Sequence, residues 1–328
     1  MRARVEVRRG GAVESVHAVH VAVAGRGGME AAAGDPGFPT FYRSASKPFQ
    51  ALPLVEDGVL DRFGFGGEEL ALCCASHNSE AQHLEVASRI LDRIGLGGGA
   101  LECGGHWPLR EAVAYRFLEE GRVPGPLESN CSGKHAGMLA LAVHHGWPTA
   151  GYVRAGHPVQ ERMSREVSRW TGIPVADLVT GVDGCGVVCF AVPLEVMAGS
   201  FARFAQDAAR GGAVGRVCDA MLDHPFLVAG TRRLCTDLMA TGAGVVAKVG
   251  AEGVYGAWHP ASGLGIALKV EDGARRAAEP ALVAVLEALE LLPDRVLEAL
   301  ERYRTPVVKN TRGEVVGEMR VVMELERT

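Results

Sequence analysis

Alternating apolar residues stand at both ends of this 328-residue chain, and helical periodicity fills its middle. Val5 and Val7, then Val19, Val21 and Val23, recur at every second position, with Gly10 and Gly11 between the two runs. That is the pattern of two strands joined by a turn. Strands return late, as V-V-A-K-V-G and V-Y-G-A-W-H separated by A-E-G, then G-I-A-L-K-V-E-D-G, then the tail E-V-V-G-E-M-R-V-V-M-E-L. A chain with strands at its ends and helices between them predicts an α+β fold whose sheet draws on both termini. The Gly-, Ala- and Pro-rich stretch from Gly25 to Pro39 reads as a loop.

Helices are predicted from the 3.6-residue repeat. One begins near Ser44–Pro48 and carries Leu52, Leu54 and Val55. A second starts at Glu80 with Leu84, Ala87, Leu91 and Ile94 on one face, and Gly95 stops it. Others run from Cys131 to Gly146 and from His157 to Trp170, and helical patterns recur at 201–211, 229–241, 280–292 and 294–303. With 48% hydrophobic residues the chain has ample material for a large core. It shows no repeat, low-complexity run or linker, so residues 1–328 are expected to form a single domain.

The charge balance excludes some partners. Net charge is −5 with a pI near 6.1, and no block of like charge offers a nucleic-acid or membrane footprint. The N-terminal M-R-A-R-V-E-V-R-R-G lacks a signal-peptide core, and no apolar run reaches membrane-spanning length. The expectation is a soluble cytoplasmic protein. Its eight cysteines form no regular disulfide framework, so they are expected to be buried, catalytic or metal-binding thiols.

Three short motifs then bear on chemistry. Ser44 and Lys47 are spaced i, i+3, which places both on one helix face. A lysine held against a serine can take its proton when burial favours the free amine. Ser76-His77-Asn78 ends a buried run, and Lys248-Val249-Gly250 sits on a predicted strand. The order S-x-x-K, S-x-N, K-x-G is that of penicillin-recognising serine enzymes. Each motif alone recurs by chance. Together they describe an acyl-transfer site in which one serine attacks a carbonyl and a second Ser–Lys pair relays the proton.

A further constellation pairs S-N-C-S-G-K-H-A-G, residues 129–137, with G-V-D-G-C-G, residues 181–186. By spacing, Cys131, His135 and Cys185 suit zinc, against the plainer reading of two buried thiols and a helix-capping histidine. The glycines around both cysteines imply tight turns with closely approaching backbone amides. Cys103 and His106 in C-G-G-H-W-P have metal-like spacing but read as a structural loop that packs Trp107. Arg43 beside Ser44 has the fork geometry to hold a carboxylate, against the plainer reading of an ordinary surface arginine.

The blocks F-Y-R-S-A-S-K-P-F-Q-A-L-P-L-V, C-A-S-H-N-S-E, C-G-G-H-W-P-L, N-C-S-G-K-H-A-G-M-L-A, G-V-D-G-C-G, A-K-V-G-A-E-G and G-L-G-I-A-L-K-V-E-D-G together resemble the rhizobial-type, class 3 L-asparaginases of the "asparaginase II" family. The resemblance runs nearly end to end. It implies hydrolysis of L-asparagine to L-aspartate and ammonia by a homodimer. It also implies a fold like the serine β-lactamases, penicillin-binding proteins and glutaminases, with a central antiparallel sheet and helices packed around it. Carried over position by position, the catalytic set becomes Ser44 with Lys47 and Ser76 with Lys248. The implied zinc ligands become Cys131, Lys134 and Cys185, which displaces His135 from the set that spacing favours. Arg43, Asn130, His135, Asp183 and Gly184 become the expected substrate-binding residues. Where the family has a proline soon after D-G-C-G, this chain has Val187, Val188 and Cys189. The rival expectations are a Ser–Lys hydrolase of another amide, such as glutamine or a β-lactam, and a non-catalytic zinc-binding protein of this fold.

Overall fold

A computed structural model describes residues 3–328. Strands β1 (Arg4–Arg9), β2 (Ala12–Gly25), β3 (Gly28–Ala33) and β4 (Pro39–Phe41) come first. Helices α1 (Lys47–Glu56), α2 (Val59–Phe63), α3 (Gly67–Cys73), α4 (Ala81–Arg93), α5 (Glu111–Glu119), α6 (Ser132–His145) and α7 (Pro158–Thr171) follow. Next are β5 (Val179–Val182), β6 (Val188–Pro193), α8 (Leu194–Ala208), α9 (Gly212–Asp223), α10 (Pro225–Ala229) and α11 (Leu234–Met239). The chain continues through β7 (Val246–Val249), β8 (Val254–His259), β9 (Leu264–Val270), α12 (Arg275–Ala288), α13 (Asp294–Ala299) and α14 (Glu301–Arg304). Strands β10 (Val307–Lys309), β11 (Val315–Val322) and β12 (Glu326–Arg327) close it. The described residues divide into two compact units. The first runs to Ala45 and adds residues 192–209 and 237–328, and the second holds residues 46–191 and 210–236.

The first unit is built on an antiparallel sheet in the order β10-β11-β1-β2-β9-β8-β7, with β3 pairing both β2 and β12. Strands from both ends of the chain therefore lie side by side, as the terminal alternation predicts. Val5 pairs with His17 on β2 and Val321 on β11, and Val21 pairs with Leu268 on β9. Helix α8 packs on β9, β2 and β8 at unusually close range. A Cβ at Gly265 would stand 2.0 Å from the Ala202 nitrogen, and one at Gly256 would stand 2.2 Å from the Phe201 ring. Only glycine lets the helix approach this far, and Phe201 then stacks on Trp258 with centroids 5.4 Å apart. Strand alternation sends Ile266, Leu268 and Val270 to the other face, where they too are buried, and α12 also contacts β9.

Two expectations about this part of the chain are overturned. Residues 25–39 are not all loop, because Ala31 and Ala33 continue the β2 ladder opposite Val23 and Val21. Alanine carries little strand signal of its own, so pairing rather than propensity makes β3. The pattern at 229–241 is not one helix. Gly230, at φ 103°, breaks it into α10 and α11.

The second unit is mainly helical and centres on α6, whose residues 132–142 are all buried. It packs against α1, α3, α4 and α7. Gly133 and Gly137 lie inside this helix rather than in a turn, and they set its distance from α3. A Cβ at Gly133 would meet the Leu72 carbonyl oxygen at 2.3 Å, and one at Gly137 would meet the Cys73 sulfur at 2.8 Å. Gly146, in the left-handed region at φ 69°, ends α6 where the sequence places its stop. Strands β5 and β6 pair antiparallel and flank Asp183–Gly186, a turn whose Gly186 has φ 88°. Among the described residues, no helix is long and apolar enough to cross a membrane.

Candidate functional site

Lys47 opens α1, with Pro48 in the first turn, and its side chain is buried. Its Nζ donates to Ser76 Oγ at 3.0 Å, to Cys131 Sγ at 3.2 Å and to the Ala75 carbonyl oxygen. Three elements converge on this amine: the start of α1, the extended segment after α3, and the residue preceding α6. A buried amine is costly unless its hydrogens find acceptors, and three acceptors stand within reach.

The thiol–amine cluster is contiguous with this amine. Lys134, buried on α6, donates to Cys185 Sγ at 3.1 Å. Cys131 and Cys185 act on each other, and the interaction drives their two thiols in opposite directions. The Cys185 hydrogen bond, with Lys47 and Lys134 adding positive charge, holds the Cys131 thiol well below the usual range against the opposing effect of burial. Cys185 is driven the other way, first as the donor in that bond and then by burial. Burial opposes the charge on Lys134, but the two sulfurs and Asp183 outweigh it and hold the amine protonated.

Among the described residues, no group of three or more His, Cys, Asp and Glu side chains is placed to hold a metal ion. Two sulfurs and an amine in mutual hydrogen-bonding range are a different donor set. The Cys131 thiol is held low, which favours the thiolate form a metal needs, and the donors differ from zinc's usual thiolate–imidazole shell only by the amine. A cation binding there would have to displace the protons that now join the three groups. On donor chemistry the cluster fits zinc.

His135 is placed differently from what its spacing suggests. Its Nδ1 lies 2.7 Å from the Tyr152 hydroxyl, and the Glu102 amide donates to that same hydroxyl at 3.0 Å. Tyr152 therefore gives its own proton to Nδ1, which leaves the hydrogen on Nε2. That buried nitrogen has no hydrogen-bond partner among the described residues. Burial, aided by the charges of Lys134 and Lys47, keeps the ring neutral.

The other expected site residues fall into two groups. Asn130, Asp183 and Gly184 lie in the second unit with the cluster. The Asn130 amide donates to His106 Nε2 at 2.9 Å and its carbonyl accepts from the His77 amide at 3.2 Å. Asp183 accepts from the Gly184 amide at 2.9 Å. Arg43, Ser44 and Lys248 belong to the first unit. Arg43 and Ser44 are half-buried in a single 3-10 turn that runs straight into α1, and Arg43 has φ 48°. Lys248, fully buried on β7, donates to the Val249 carbonyl at 2.8 Å.

The C-G-G-H-W-P loop braces this region, as a structural reading expects. His106 holds the Asn130 amide, and Cys103, with its thiol pushed up to about 11 by burial, donates to the Pro126 carbonyl. Trp107, expected to pack inside, is 45% exposed. Sequence reasoning missed Tyr152, and also Arg233, a buried residue that donates to Asn78 Oδ1 at 2.9 Å beside Ser76. Neither lies in a motif, and a buried polar side chain leaves no periodic trace.

A buried lysine amine against a serine hydroxyl, on a rigid helical frame, is equipment for moving protons in acyl transfer. The α+β chain that carries it matches a known family over nearly its whole length. The family model described as L-asparaginase II covers residues 5–321, and the chain belongs to that family. Membership makes it an enzyme of the amidohydrolase class. A comparison with curated proteins gave no match.

Proposed function

We propose that this protein hydrolyses L-asparagine to L-aspartate and ammonia through a Ser–Lys acyl-enzyme. The observation that carries the reading is the buried Lys47 Nζ, 3.0 Å from Ser76 Oγ, in a chain of the L-asparaginase II family. In this reading Ser44 Oγ attacks the side-chain amide carbon and passes its proton to Lys47. The C–N bond then breaks, and Ser76 with Lys248 relays a proton to the departing ammonia. Water attacks the ester that remains, releasing aspartate and restoring the Ser44 hydroxyl. Arg43, Asn130, His135, Asp183 and Gly184 bind the substrate.

Cys131, Lys134 and Cys185 would hold zinc, which when bound supplies a fixed positive charge that anchors and orients the substrate. The same reading includes a serine β-lactamase-like fold, one asparaginase domain, a homodimer and a cytoplasmic site of action. Support for it comes from family membership and from the order of the Ser–Lys motifs along the chain.

The test is ammonia release from L-asparagine by wild type and Ser44→Ala, with zinc measured in both. Activity in wild type that is lost in the variant, with zinc retained, supports the scheme. Activity surviving in Ser44→Ala overturns the nucleophile assignment. Parallel assays with glutamine and a chromogenic β-lactam decide the substrate class.

A further inference from the structure

We infer that Arg233 is a positioning residue that fixes Ser76, acting through a clamp formed by residues 228–233 on the Ser76–Glu80 turn. The inference rests on the reading of Ser76 as part of the proton relay. Six hydrogen bonds join the two segments, all within the second unit. The Ser76 amide donates to the Val228 carbonyl at 2.9 Å. Asn78 Nδ2 donates to the Thr231 carbonyl at 3.0 Å. Thr231 gives its amide to Glu80 Oε2 at 2.9 Å and its hydroxyl to Glu80 Oε1 at 2.7 Å. Arg233 Nη1 donates to Asn78 Oδ1 at 2.9 Å and to the Ser76 carbonyl at 3.4 Å.

The backbone on both sides is bent to make this fit. Gly230 sits at φ 103°, where an added Cβ would strike Glu80 Oε2 at 2.5 Å and Asn78 Nδ2 at 2.8 Å. Ser79 holds φ 60°, a left-handed conformation unusual for a residue with a side chain. Its amide donates to His77 Nδ1 at 3.1 Å, so His77 donates from Nε2 to Ser132 Oγ at 2.9 Å. The turn that presents Ser76 is thus held at each successive residue from 76 to 80.

Both ends of the Asn78 amide are committed to the clamp, so Asn78 serves the turn rather than a substrate. Arg233 is only 6% exposed, and a buried guanidinium is a costly way to fill space. What it offers over an apolar side chain is a rigid fork of donors that reaches one backbone carbonyl and one side chain together. A loosened Ser76 would misplace the hydroxyl that Lys47 now holds. Displacements of about 1 Å at such a site cost roughly 10- to 100-fold in turnover.

The experiment compares wild type, Ser76→Ala, Arg233→Ala, Arg233→Lys and Asn78→Ala in the asparagine assay, with and without added guanidinium chloride at millimolar concentration. The expected result is loss of turnover in Ser76→Ala, and a kcat about 10- to 100-fold lower in Arg233→Ala with KM changed less than about threefold. Guanidinium should restore part of that kcat, and Arg233→Lys should not replace the fork. A variant that merely lost stability would not respond to guanidinium. Asn78→Ala removes one acceptor of the fork and should lower kcat in the same way, which keeps the test open if Arg233→Ala does not fold. Full kcat in Arg233→Ala or Asn78→Ala beside an inactive Ser76→Ala overturns the clamp while leaving the role of Ser76 intact. Full activity in Ser76→Ala removes the relay reading and the clamp's purpose together.

Discussion

At the scale of single residues, Lys47 has the most to lose. Its amine satisfies three buried acceptors, so Lys47→Met strands Ala75 O, Ser76 Oγ and Cys131 Sγ at once. An unpaired buried polar group costs about 1–3 kcal/mol, and the apolar replacement recovers part of that through packing. Activity should fall further than stability does. Loss of a positioned acid–base group lowers turnover by roughly 10²–10⁴-fold. Steady-state rates beside urea unfolding curves check this, and a variant within tenfold of wild-type turnover would rule Lys47 out as the base. Lys134→Met makes a second test: the amine leaves and both sulfurs remain. Bound zinc per chain, measured by atomic emission after dialysis against a chelator of graded strength, should fall. Spacing alone favours His135, and only the resemblance puts Lys134 in its place. Both are buried on α6, but the lysine extends to Cys185, while Tyr152 engages the histidine ring. Contacts 51 and 17 residues away leave no mark on a local pattern.

At the scale of elements, glycines control how closely helices approach their neighbours. Gly133→Ala forces a Cβ toward the Leu72 carbonyl oxygen, and Gly265→Ala forces one into the α8 backbone at Ala202. Neither neighbour is a flexible side-chain tip that can move aside. Each substitution should destabilise by about 1–3 kcal/mol or more, despite alanine's better helix propensity at position 133. Urea midpoints measure this, and an unchanged midpoint for Gly133→Ala would mean that α3 and α6 separate freely. The strands that alternate large apolar residues, β1, β2 and β7–β9, were legible in the sequence, as were α4, α6 and α7, whose stripes end at glycine. β3 was not, because Ala31 and Ala33 become strand residues only by pairing with β2. The G-x-x-x-G of α6 was legible as close approach but not as helix contact, since glycine marks a missing Cβ without saying what fills its place. Motif order singled out Ser44, Lys47 and Ser76 as candidates, whereas the clamp at 228–233 rests on hydrogen bonds no motif encodes.

At the scale of the whole molecule, the second unit carries a pH dependence that its histidines predict. Burial is the main cause that lowers the pKa of His77, His83 and His135 below the ordinary value of 6.5, with His77 and His135 held well below it. His77 and His83 also stack, with centroids 4.9 Å apart, so protonating either places a charge against its neighbour. A lowered folded-state pKa means that the unfolded chain binds more protons than the folded one as pH drops below 6.5. Stability is therefore full above that value and declines as pH falls. Each histidine protonated only on unfolding adds up to about 1.4 kcal/mol per pH unit. The lowered carboxylates of Asp57, Glu69 and Glu80 act in the same direction but at lower pH, because their ordinary values are 3.8 and 4.5. Glu166, pushed up by burial, works in the opposite sense, also in the carboxylate range. Across the interval from about pH 7 to about pH 5.5 the carboxylates change little, so the histidines set how the slope steepens, on top of the proton that the lowered Cys131 thiol takes up on unfolding. The free energy of urea unfolding should fall across this interval, and proton uptake on unfolding, measured by calorimetry in buffers of different ionisation heat, should be positive. His77→Gln keeps an acceptor and a donor on the turn while removing the titration, so it should flatten the slope by as much as one proton. A wild-type slope of zero across the interval would mean that the folded protein protonates these rings as readily as the unfolded chain does, and the stacked, buried arrangement would then have to open at mild acidity.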